Sequence, residues 1–259
     1  MFWTYLTILT RLAVSGFFPA TEPRTACIRG AVVRVLDYAS FLSLFMEIFI
    51  RREYHFTFDS SSPLILDCGS NIGVSVLYFK TTYPGSRVVA FEPDETAFRT
   101  LQQNVQANRW DLVELHHAAL HNRDGEIDFF SDPSLPGSLV MSSRQQRVSG
   151  AEGKVTARQT VQSMRLSSFV TEPVDLLKMD IEGAELDVME DLAQTGKLPL
   201  IKQIVLEYHH HLDAGENHMA RLFALLEENG FGYQIHAPYT RPFGRRDFQD
   251  MLLYAYRPA

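Results

Sequence analysis

The 259-residue chain has only two cysteines, Cys27 and Cys68. They lie far apart and in no CxxC or Cys/His spacing, which excludes a disulfide framework and a structural zinc site and fits a reducing, cytoplasmic compartment. Cys68 reads as a small packing residue rather than a nucleophile. Net positive charge is also lacking. The 24 Lys and Arg stand against 31 Asp and Glu, a formal charge of −7, so no general field attracts a phosphate backbone and no nucleic-acid partner is expected. Arg241, Arg245 and Arg246 in YTRPFGRRD are the best candidates for a local basic patch, and they read first as solvated turn charges. The nearest approach to a long apolar run is MFWTYLTILTRLAVSGFF at the start. Arg11 interrupts it, no charged region precedes it and no small-residue cleavage pattern follows, so an amphipathic docking helix is expected rather than a signal or a transmembrane span. The glycine patterns GxGxxG and GxxxxGK[ST] are missing too, which sets aside a dinucleotide turn and a P-loop.

What is present suits a packed α/β enzyme: 46% of residues are hydrophobic, 12% aromatic and 21% charged. Residues 1–58 read as a helical cap or lid, with helices at Phe2 to Gly16 and Ile28 to Ile50. The second carries Val32, Val35, Leu36, Ala39, Leu42, Phe45, Met46 and Phe49 at spacings of three and four. That face reads first as packing on the catalytic domain. A substrate lid, a membrane-facing patch or a homo-oligomer contact are its other roles. From residue 59 to 259, short apolar runs alternate with amphipathic stretches, the mark of a mostly parallel sheet with helical crossovers. Strands are expected at Leu64 to Cys68, Arg87 to Phe91, Val113 to Ala118, Val174 to Met179 and Ile201 to Tyr208. Helices are expected at Ile72 to Thr82, Glu95 to Asn108, Ala184 to Thr195 and Asn217 to Asn229. Gly232 to His236 and Met251 to Tyr256 read as a final antiparallel hairpin, and Asp132 to Ser143 as a loop over the active edge.

LILDCGSNIG reads as strand, turn and helix start. Gly69, Asn71 and Gly73 alternate after Asp67, so the backbone turns tightly and the helix N-terminus offers free N–H groups to a polar ligand. The next strand ends in Phe91-Glu92-Pro93-Asp94, where the Glu92 carboxylate can accept both hydrogen bonds of a ribose diol and Asp94 can cap the following helix. Together these features point to a nucleotide-type cofactor. The small residues Ala118 and Ala119 would let an adenine ring lie against the backbone, while His116 and His117 read as core-edge or surface histidines.

LILDCGSNIG, VVAFEPD, the turn from Ala119-Leu120 to Gly125, and VDLLKMDIEGAE together resemble the FkbM family of S-adenosylmethionine-dependent methyltransferases, over about residues 60 to 236. The resemblance implies a Rossmann-like class I methyltransferase fold, here with an antiparallel C-terminal hairpin and an N-terminal helical segment. It implies S-adenosylmethionine as cofactor, with Asp67 and Gly69 near the methionine portion, Glu92 on the ribose, and Ser70, Asn71, Gly73, Pro93 and Ala119 completing the site. It also implies O-methylation of a hydroxyl on a sugar, glycan or natural-product small molecule. N-methylation of an amine and a non-catalytic interaction module are the alternatives.

Methyl transfer from a sulfonium needs an acceptor oxygen in line with the S–CH3 bond and removal of its proton. Ligands in open parallel sheets sit beyond the strands' carboxyl ends, which brings KMDIEG and EYHHH together. Glu207 and His209 share a strand face, so His209 is expected as base, oriented by Asp180 or Glu207. Asp180 could instead hold the methionine ammonium or a substrate hydroxyl, and Glu182 could cap backbone N–H groups. Asp180, Glu182, Glu207 and His209 could gather a divalent cation, but with no clear ligand box a metal is not favoured.

Overall fold

The structure is a computed structural model that describes residues 6–10, 24–132, 141–144, 156–211, 218–237 and 249–257. Of the expected helix Phe2 to Gly16, only residues 6–10 are described, and these are helical. Most of the expected loop Asp132 to Ser143, and Arg241, Arg245 and Arg246, lie outside the described residues.

The expected helix Ile28 to Ile50 is not one helix. Arg29 and Gly30 both take positive φ, 51° and 85°, the combination that suits a two-residue hairpin turn. They join β1 (Thr25–Ile28) to β2 (Ala31–Arg34) in antiparallel register. Ala26, Ile28, Ala31 and Val33 are buried while Cys27, Val32 and Arg34 are exposed, a period of two favoured by the β-branched residues. Val32, which fits the three-and-four spacing, is in fact 46% exposed. Helix α1 (Tyr38–Phe45) begins only after Asp37, whose carboxylate accepts from the Ser40 amide at 2.7 Å. It runs into a π-helical turn, Met46–Ile50, where Arg51 N–H reaches back to the Met46 carbonyl at 2.8 Å.

The α/β pattern follows as expected: β3 (Leu64–Cys68), α2 (Val74–Thr82), β4 (Arg87–Phe91), α3 (Glu95–Asn108) and β5 (Val113–His116). Next come β6 (Ala119–His121), β7 (Gly125–Ser131) and β8 (Ala157–Arg165), which form a small side sheet in the order β6-β8-β7. The chain then gives β9 (Leu176–Met179), α4 (Glu185–Gln194), β10 (Gln203–His210), α5 (Met219–Glu228), β11 (Gly232–His236) and β12 (Gln249–Tyr256). The main sheet has seven strands in the order β11-β12-β10-β9-β3-β4-β5. Only β12 runs against its neighbours, so the terminal hairpin is present as expected.

Strand alternation sends Ile65 to one face and Leu64 and Leu66 to the other. Ile65 joins a core with the β1–β2 hairpin, α1, α2 and α3, while Leu64 and Leu66 join a second core with α4 and α5. The N-terminal segment is therefore sealed onto the sheet through Ile28, Val33, Phe41, Phe45 and Ile48, none more than 1% exposed. Asn104 on α3 completes the seam by bonding both the amide and the carbonyl of Arg34, at 2.7 and 3.1 Å. Among the described residues no helix is long and apolar enough to cross a membrane.

Candidate active site

The two sequence motifs meet at one backbone contact. Beyond β3 the chain turns through Gly69 (φ 81°), Asn71 (46°) and Gly73 (87°). A Cβ on Gly69 would lie 1.7 Å from the Asp180 carbonyl oxygen, so only glycine lets the β3 turn rest on the end of β9. The Asp180 amide donates to the Cys68 carbonyl at 3.0 Å. Buried Lys178 ties the same point from below, its Nζ donating to the carbonyls of Gly69 at 2.7 Å and Cys68 at 3.2 Å. Asp67 is fully buried, with Oδ2 accepting from Ser75 at 2.6 Å and Oδ1 lying 3.4 Å from Lys178 Nζ. Burial works against the Lys178 ammonium, but Asp67 and Asp180 outweigh it and raise its pKa. Cys68 is buried and its thiol is pushed well up by that burial, as suits a packing residue.

Glu92 is held by the backbone. Its Oε1 accepts from the Asp94 amide and its Oε2 from the Asn71 amide, both at 2.8 Å. Burial nevertheless pushes its pKa up to about 7 against the pull of those two amides. Asp94 caps α3 as expected, accepting from the Ala97 amide at 2.8 Å.

Glu92 opens on a cavity of about 200 Å³ at the carboxyl ends of the strands. Gly69, Ser70, Asn71, Glu92, Pro93 and Ala119 line its β3–β5 side, and Asp180 and Glu207 its β9–β10 side. Asp67 and Gly73 are not among the lining residues: the first lies beneath the turn and the second is the N-cap of α2. His116 and His117 also lie outside, stacked on Phe91 and Phe98. Lys178, Glu47 and Tyr54 line the cavity without having been assigned to it from sequence, and Glu182, expected as a cap or cation ligand, lines it too.

His209 differs from its expected place. The residue is 4% exposed and borders a second cavity, of about 230 Å³, with Glu185, His210 and His211. Its orienting carboxylate is Glu185, 2.7 Å from Nδ1, and not Asp180 or Glu207. Nε2 points toward Glu182 at 3.1 Å and Asp180 at 3.8 Å. Burial disfavours the imidazolium, yet Glu185, Glu182 and Asp180 outweigh it and raise the His209 pKa well above its usual value. That shift favours the imidazolium, which has no lone pair with which to take an acceptor's proton. Glu185 also accepts from the Gly183 amide at 2.9 Å, the capping contact that the sequence suggested for Glu182. Across the strand, the charge of Asp180, followed by burial, pushes Glu207 up to about 9. The Asp180–Glu207 pair thus holds a proton at neutral pH. Asp180, Glu182 and His209 bring ligand atoms within 4.8 Å of one another, as do Glu207, His209 and Asp250. These are the residues that could hold a divalent cation.

A parallel sheet in this order, with a glycine turn after its central strand and an acidic end to the next, defines the Rossmann-like class I methyltransferase fold. The model of the methyltransferase FkbM domain matches residues 67–233. The chain belongs to that family and is a methyltransferase. It is 31% identical over 211 residues to methyltransferase 1 of Beauveria bassiana, covering 76% of this chain and 83% of that one. It is 27% identical over 229 residues to 31-O-demethyl-FK506 methyltransferase FkbM of Streptomyces tacrolimicus, covering 78% and 86%. The crystal structure of M. jannaschii TYW2 in complex with AdoMet shares the fold, with 17% identity and a TM-score of 0.50 over 93% of this chain and 89% of that one.

Proposed function

We propose that the chain transfers the methyl group of S-adenosylmethionine to a hydroxyl oxygen of a sugar, glycan or natural-product small molecule. The observation that carries this reading is Glu92. A carboxylate fixed by two backbone amides at a cavity wall keeps further lone pairs for a ribose diol, and the donor set around it fits that cofactor. The small residues Ala118 and Ala119 line the cavity and would give an adenine ring a flat wall, and the Gly69 to Asn71 turn would hold the methionine portion. A solved structure of the same fold in complex with AdoMet and a relative named for O-demethyl-FK506 methylation support the cofactor and the oxygen acceptor.

S-adenosylmethionine supplies the methyl group as an electrophile. The chain's own residues orient the acceptor hydroxyl and take its proton. Asp180 is the proton acceptor in this reading, because it lines the cavity as part of a carboxylate pair that holds one proton between its two members. His209 acts as a positioning residue: a buried imidazole, held by Glu185, that lies against the Asp180 and Glu182 carboxylates.

The test is incubation with methyl-labelled S-adenosylmethionine and paired acceptors in which each hydroxyl compound has an amine counterpart. Label on oxygen is expected. Label on the amine partners alone would move the reaction to N-methylation, and cofactor binding without any transfer would favour a non-catalytic role.

A further inference from the structure

The family match begins at residue 67, yet part of the cavity wall comes from earlier in the chain. Glu47 and Ile48 in the π-helical turn, and Tyr54 after it, line the same cavity as Asp180 and Glu207. π-Turns inside helices occur frequently at functional sites, because the extra residue re-aims the side chains around it. Here the turn gives Glu47 to the cavity wall. Its Oε1 accepts from Ser43 at 3.0 Å and lies 3.2 Å from Arg51.

Tyr54 is the second and independent observation. It is 6% exposed, its ring face lies 5.6 Å from Lys178 Nζ, and its hydroxyl makes no hydrogen bond to any described residue. Tyr54 lines the cavity, so a ligand or water there can complete the hydrogen bonding of its hydroxyl. Burial first, and then the charges of Asp180 and Glu207, raise its pKa, so the hydroxyl stays protonated beside those carboxylates.

The charge of this end selects a class of ligand. Glu47, Asp180, Glu182 and Glu207 face the cavity, and Lys178, the only cation lining it among the described residues, already lies against Asp67. Hydrogen-bond donors are welcome there, and further anions are not.

We propose that Glu47 and Tyr54 form an acceptor-recognition subsite, outside the family-matched residues, that binds a second hydrogen-bond-donating group of the acceptor, a hydroxyl or an ammonium, and rejects acceptors carrying a carboxylate at that position. The subsite rests on the methyltransferase reading above and deepens it by naming the acceptor's chemistry. The cofactor keeps the β3–β5 side, and Glu47 and Tyr54 belong to the β9–β10 side.

The test uses three probes on one scaffold, methyl glucoside, methyl glucosaminide and methyl glucuronide, with full-length protein loaded with S-adenosylhomocysteine and binding followed by ligand-observed NMR. The neutral and ammonium probes are expected to bind and the glucuronide to bind at least about tenfold more weakly. In Glu47→Gln the glucuronide should gain, and in Tyr54→Phe the neutral probe should lose about tenfold, the loss of one hydrogen bond. Cofactor affinity should stay within about twofold in both. Equal binding of all three probes, binding of none, or a loss of cofactor affinity in place of probe affinity would overturn the subsite. Failure of the wild-type protein to bind S-adenosylhomocysteine at all would instead overturn the methyltransferase reading beneath it. A circular-dichroism melt of each variant separates binding loss from misfolding, and Tyr54→Trp, which keeps a ring and a donor, should recover part of the affinity for the neutral probe.

Discussion

Replacing Glu92 by Gln separates binding from folding. In the ligand-free protein the carboxylate accepts from the Asp94 and Asn71 amides at 2.8 Å each. The amide can keep one of these bonds and must turn its NH2 toward the other N–H. That loss is offset because burial no longer strands a charge, the effect that lifts the Glu92 pKa to about 7. The two changes oppose each other, so the apo protein should keep its unfolding free energy within about 1 kcal/mol. Cofactor affinity has no such offset. A ribose diol donating to a carboxylate makes charge-assisted bonds, and removing the charge and one acceptor costs ~1.5–3 kcal/mol, or roughly 10- to 150-fold in Kd. Isothermal titration calorimetry with S-adenosylhomocysteine, beside urea denaturation of the same preparations, measures both. A Glu92→Gln protein that folds normally and binds within about threefold of wild type would refute the assignment of Glu92 to the ribose.

Three further outcomes follow from the same geometry. Gly69→Ala places a methyl group 1.7 Å from the Asp180 carbonyl oxygen at a positive φ, so the turn must move; denaturation should show a loss of about 3 kcal/mol or more, and wild-type stability would contradict the contact. Glu92 and Glu207 have pKa values of about 7 and about 9, above the ordinary 4.5. The folded chain then binds more protons than the unfolded one, and apo stability should fall as pH rises from about 5 to about 9. Cofactor affinity should move the other way, weakening up to about tenfold per unit below pH ~7 as ionised Glu92 is lost, which calorimetry across pH would show. Asp180→Asn should lower the single-turnover rate by about 100-fold or more, and His209→Gln by about tenfold with the pH profile kept. The reverse order would restore His209 as the base.

The sheet was legible in the sequence because a parallel strand buried on both faces is a short continuous apolar run, as at Leu64 to Cys68. Helix α3 was legible from Asp94, whose cap is also its start signal. The N-terminal hairpin was not: Val32, Val35 and Leu36 fit a 3.6 period, and the deciding Arg29-Gly30 turn puts a non-glycine residue in positive φ, where no strong signal is expected. At the site, glycine and acid positions after strands could be read from topology. Partner choice could not. Glu185 ends the quoted motif and opens the next helix, but it meets His209 only through tertiary packing, and Glu47 and Tyr54 reach the cavity from a segment that carries no motif. Lys178 stood in the quoted KMDIEGAE, but a lysine in an apolar strand gives no sign of which carbonyls it will bond.

A crystal structure with S-adenosylhomocysteine tests the central claim most directly. The expected result is one bound molecule, its ribose hydroxyls within hydrogen-bonding distance of Glu92, its adenine beside Ala118 and Ala119, and its sulfur facing Asp180 and Glu207. A ligand seated elsewhere, or a ribose that makes no contact with Glu92, would contradict it.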